Sequence, residues 1–66
     1  MGLVGELTHP TRGQDGPGEV RVKIRGGTEI FLAWSEQPLR LGTCVLIVGS
    51  RGARAVDVVP WSELPT

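Results

Sequence analysis

Apolar and polar residues alternate along most of this chain with the two-residue repeat of an extended strand. The clearest stretch is residues 18–34, GEVRVKIRGGTEIFLAW. Over 18–25, Val20, Val22 and Ile24 fall on one face and Arg21, Lys23 and Arg25 on the other, which predicts a strand with one buried side. Gly26-Gly27 then suits a two-residue hairpin turn, in which both central positions take positive φ. Residues 28–34 predict the return strand, and here the alternation fails. Phe31 and Ala33 lie on one face and Ile30, Leu32 and Trp34 on the other, so both faces are apolar. A small antiparallel sheet packs only one face on its core. The surplus face of this strand therefore needs a cover or a partner.

The remaining chain reads in the same way. Residues 3–9 predict a strand with Leu3, Gly5 and Leu7 opposite Val4, Glu6 and Thr8. Residues 10–18, PTRGQDGPG, read as a flexible loop that contributes nothing to a core. Pro38 limits residues 35–41 to a single helical turn, for which Ser35 is the available cap. A strand over 43–48 places Val45 and Ile47 together, and Gly49-Ser50-Arg51-Gly52 reads as a second hairpin turn. In the last strand, 53–59, Val56 and Val58 point inward while Ala55, Asp57 and Val59 point outward, and Pro60 ends it. Five short strands without a long helix predict an all-β fold, a small five-stranded barrel of the oligonucleotide/oligosaccharide-binding (OB) type. An Src-homology-3-like barrel is the structural competitor. The expected organisation is one OB-like domain over 1–66, with its ordered core at about 2–61 and a tail at 62–66 in which the Trp61 indole is free to pack.

Composition narrows the chemistry. A chain of 66 residues buries a small core, and such folds lean on disulfides, metals or association. Cys44 is the only cysteine and His9 the only histidine, so an internal disulfide and a four-ligand zinc site are both excluded. Association or docking remains as external support. A lone cysteine fits a reducing compartment. Seven basic and seven acidic side chains balance, which argues against phosphate-driven binding. The longest apolar run, residues 44–48, is far short of the roughly 20 residues of a membrane span. No signal-peptide pattern opens the chain.

Taken in order, the chain presents Gly2-Leu3-Val4-Gly5, Gly18-Glu19-Val20, Phe31-Leu32-Ala33-Trp34-Ser35-Glu36, Gly42-Thr43-Cys44-Val45-Leu46-Ile47-Val48 and Val56-Asp57-Val58-Val59-Pro60. This series resembles the C-terminal domain of NfeD-like proteins, an OB-fold module, over residues 2–61. The pattern departs from the family where Phe31 stands in place of the usual tryptophan, in a longer loop at 10–18, and in the lack of the transmembrane helices most relatives carry. The resemblance implies an adaptor domain that binds another protein. It further implies stomatin- or flotillin-like membrane partners and a setting in the control of membrane-protein and protease quality.

Two candidate sites follow. The Ile30, Leu32 and Trp34 row is expected to be a contact face with Trp34 near its centre, unless Trp61 or the 10–18 loop covers it. The basic row Arg21, Lys23 and Arg25 is expected to orient the partner, with cross-strand acids such as Glu29 neutralising part of it. With Phe31 and Trp34 nearby, the same row supports the alternative reading of a nucleic-acid-binding OB module, which the balanced charge disfavours. His9 reads as a turn residue and Cys44 as a small half-buried hydrophobe. The glycine-rich loop lacks the glycine-lysine-serine/threonine ending of a phosphate loop, and Asp15 with Glu19 is too small a set for calcium. The expected function is therefore non-enzymatic, with no catalytic or metal-ligating residues and no cofactor. The expected partner is another protein or a second copy. The expected place is the cytoplasm, with any membrane association through a partner or a segment outside this chain.

Overall fold

The computed structural model describes residues 3–61. Five strands, β1 (Val4–His9), β2 (Gly18–Ile24), β3 (Gly27–Trp34), β4 (Cys44–Ser50) and β5 (Ala55–Pro60), close into a barrel in the order β1-β2-β3-β5-β4. All contacts between neighbours are antiparallel except β3 with β5, which is parallel. Closure leaves no full-length sheet edge open.

The interior follows the predicted alternation. Leu7, Val20, Val22, Ala33, Val45, Ile47, Val56 and Val58 form the core, and Phe31 and Leu39 pack against it. Gly5 occupies an inward position of β1, between β2 and β4. A Cβ there would meet Val20 Cγ2 at 2.7 Å and the Arg21 carbonyl oxygen at 2.8 Å, so the barrel closes this tightly only around glycine. The inward phase alone does not ensure burial. Leu3 and Ile24 share it but are exposed, because the barrel ends before it reaches them.

Four local expectations are corrected. The β2–β3 turn is centred on Arg25 and Gly26, since Ile24 pairs with Gly27. Only Gly26 takes positive φ, at 83°, and Gly27 belongs to β3. The second turn lies later than expected, because β4 runs on to Ser50 through an irregularity between Ile47 and Gly49. Arg51 N–H donates to Ala55 O (2.8 Å) across that turn. Ser35 caps no helix; its hydroxyl donates to Gln37 O (2.6 Å).

The loop after β1 is the fourth correction, for it does join the packed interior. Thr11 is 2 % exposed, Gly13 and Gly16 are buried, and Gly13–Asp15 form a turn of 3-10 helix. Thr11 N–H donates to Leu39 O (3.0 Å), and Leu39 N–H donates back to Thr11 Oγ1 (2.8 Å). Thr11 Oγ1 also shares a 2.7 Å hydrogen bond with Ser35 Oγ. A buried threonine thus satisfies its hydroxyl and ties the loop to the β3–β4 connection over Leu39. Trp61 N–H donates to Cys44 O (2.9 Å), and the residue keeps 40 % of its surface exposed. The rest of the expected tail lies outside the described residues.

Candidate surface site

Register decides which side chains meet. Arg21 stands opposite Ile30, Glu19 opposite Leu32 and Lys23 opposite Thr28. Directly paired residues share a sheet face. The apolar row of β3 and the basic row of β2 therefore form one outer surface, two columns side by side. Ile30 is 38 % and Leu32 44 % exposed, and no described segment covers them. Neither the 10–18 loop nor Trp61 supplies the cover considered from sequence.

Trp34 separates from the other two. It is half-buried beside β5, paired with Asp57. The Arg51 guanidinium lies over its ring, 4.9 Å from the centroid, and Arg51 Nε donates to Asp57 Oδ1 (2.6 Å). Trp34, Arg51 and Asp57 make one wall of a groove of about 700 Å³, with Leu39, Val48 and Val59 among its apolar lining. Trp34 is thus the edge of the exposed row rather than its centre, because an arginine from the β4–β5 turn stacks on it.

The basic row is not uniform either. Arg21 Nη2 donates to Glu6 Oε1 (3.2 Å) from the neighbouring β1. Arg25 sits in the turn, beyond the strand. Glu29 does not neutralise this row. It pairs across to Val22, on the opposite face, and accepts from Arg54 Nη2 (3.3 Å). Arg54 also lies over the Phe31 ring, 5.6 Å from its centroid. Both aromatic rings of the imagined stacking platform are therefore occupied by arginines of the second turn, and none of the row Arg21, Lys23 and Arg25 reaches them.

His9 Nδ1 pairs with Glu19 Oε1 at 3.1 Å. Cys44 is exposed on the outer face of β4, opposite Glu6, rather than half-buried. Sequence reading missed Arg51, Arg54 and Asp57. Their only signal was a turn with two arginines beside an outward aspartate, and the parallel β3–β5 pairing that brings them to Trp34 and Phe31 is a long-range fact. It also missed a second outward apolar line, Val4, Leu46 and Val59, aligned by the β1–β4 and β4–β5 registers.

A closed five-stranded barrel with this order, carrying its distinctive features on the outer wall, defines a small OB-like module. The chain belongs to the NfeD C-terminal domain family, whose pattern matches residues 4–59. Two solved structures resemble it. One is the solution structure of the soluble domain of the NfeD protein YuaF from Bacillus subtilis, 30% identical, with a TM-score of 0.77, covering 94% of this chain and 74% of that one. The other is the C-terminal domain of stomatin operon partner protein 1510-C from Pyrococcus horikoshii, 25% identical, with a TM-score of 0.72, covering 96% of this chain and 89% of that one. No curated protein matches the chain. Among the described residues no helix is long and apolar enough to cross a membrane.

Proposed function

We propose that this chain is a non-catalytic binding module whose outer β2–β3 surface docks on another protein. One observation carries the reading. Ile30 and Leu32 stay 38 % and 44 % exposed on the outer wall of a barrel whose interior is formed without them. Covering an aliphatic side chain of that kind contributes roughly 1.5–3 kcal/mol when burial is full. Arg21 stands opposite Ile30 with Lys23 next on that face of β2, and the two would set the partner's orientation more than its affinity. The likeness to a domain of a stomatin operon partner supports a stomatin-like protein as that partner. By the family resemblance the setting is membrane-protein and protease quality control.

Titration calorimetry with a purified stomatin-like protein tests this. Saturable binding is expected, and Leu32→Asp weakens it at least about tenfold, or 1.4 kcal/mol, while the far-ultraviolet spectrum stays native. Failure of the native chain to bind, or equal binding by the variant, refutes the proposal.

A further inference from the structure

Strand β3 has a partly unpaired edge. Leu32 N–H donates to Arg54 O (2.8 Å), so the backbone groups of Leu32 point toward β5. Along a strand these groups alternate sides, which turns those of Thr28 and Ile30 the same way. The β3–β5 register, however, begins only at Leu32 opposite Ala55. It begins there because Arg54 takes a left-handed φ of 61° and leads the chain away from β3. Thr28 N–H, Thr28 C=O and Ile30 N–H are left without a strand partner. The fourth group, Ile30 O, accepts from Arg54 Nη2 (3.2 Å), a side chain 65% exposed. Glycines of the β2–β3 and β4–β5 connections beside it stand in open space, since a Cβ on Gly26, Gly27 or Gly52 would meet nothing within 4 Å.

From this geometry we infer that the Thr28–Ile30 edge accepts an extended segment of the partner by strand addition. The inference rests on the adaptor reading above and names how the partner is held. Main-chain hydrogen bonds give such pairing its affinity, and alternate side chains give its specificity. One face of the incoming strand lies beside Ile30. On the other face Arg54 stands at the edge beside the acid Glu29 and Arg25 follows in the turn, while Lys23 lies on the outer face opposite Thr28. The fitting segment is therefore apolar at alternate positions and acidic between them. A second copy of this chain fits worse. Antiparallel self-pairing about Glu29 sets Glu29 against Glu29 and doubles the positive charge at the tip, and like charges directly opposite are destabilising.

The probe is a short capped peptide of alternating valine and glutamate, added to the isotope-labelled chain. A dissociation constant of about 1 mM or tighter is expected, with slowed exchange confined to the Thr28 and Ile30 amides. The alternating valine–lysine peptide binds at least about tenfold more weakly. Thr28→Pro removes an N–H that faces the free edge and belongs to no existing ladder, and lowers the affinity at least about tenfold. Absence of peptide binding, exchange unchanged at both amides, or equal affinity for the proline variant overturns the inference. Should Thr28→Pro fail to fold, the exchange measurement on the native chain decides alone. Partner binding that is lost in Leu32→Asp but intact in Thr28→Pro sinks strand addition and leaves the docking surface standing.

Discussion

Arg51 stacks on the indole of Trp34, its guanidinium carbon 4.9 Å from the ring centroid. This contact divides a row that looks uniform in the sequence. Trp34 is held by its own chain, and Ile30 and Leu32 are not.

Replacing Arg51 with alanine removes the cation–π contact and the pair with Asp57 together. Exposed contacts of these kinds are each worth about 0.2–1 kcal/mol. The expected loss is about 1 kcal/mol, or ~4–8 °C in Tm for a domain this small. Arg51→Lys keeps the charge but not the planar stacking surface, and should lose less. Thermal unfolding of both variants checks the order.

The two glycines at close approaches are expected to differ. Gly5→Ala pushes its methyl against a valine side chain and a carbonyl, and overpacking of this kind costs about 1–3 kcal/mol. Gly18→Ala faces the main chain of His9 and Pro10, with the Pro10 carbonyl oxygen at 2.6 Å. Backbone yields less readily than a side chain, so Gly18→Ala is the more damaging. Denaturant midpoints should rank native, then Gly5→Ala, then Gly18→Ala.

Thr11→Val leaves the Leu39 N–H without its 2.8 Å acceptor. An unsatisfied buried donor costs about 1–3 kcal/mol. Thr11→Ser keeps the hydroxyl and should retain most of the stability. Amide exchange at Leu39 should accelerate in the valine variant and change little in the serine variant. Equal exchange in both would remove the tie between the two loops.

Leu7 and Leu32 test the assignment of inner and outer faces. Leu7 is 1% exposed, and its truncation to alanine should cost about 2–5 kcal/mol. Leu32→Ala on the outer wall should stay within about 0.5 kcal/mol. A large stability loss from Leu32→Ala would make that residue structural and undo the docking surface.

Much of the barrel is legible in the chain because a period of two assigns faces without knowledge of neighbours. Val20, Val22, Val45, Ile47, Val56 and Val58 all point inward as their alternation predicts. The misplaced turns share a cause. Glycine marks where positive φ is permitted, but the ladder decides which glycine is used, and Ile24 pairing with Gly27 put Gly26 alone in that role. The 10–18 loop was misread because polar composition suggests solvent, whereas Thr11 is buried through bonds to Ser35 and Leu39, more than twenty residues away.

The candidate surface divides along the same line. Alternation by itself determined that Ile30, Leu32 and Trp34 share one face and Arg21 and Lys23 another strand's face. Only the folded chain decided that these are one surface, that Arg51 claims Trp34, that Arg54 rather than Arg21 meets Glu29, and that β5 leaves the Thr28–Ile30 edge unpaired. The reason is physical. Side-chain direction along a strand is a local property of the backbone, while register, closure and the parallel β3–β5 contact arise between residues far apart in the chain.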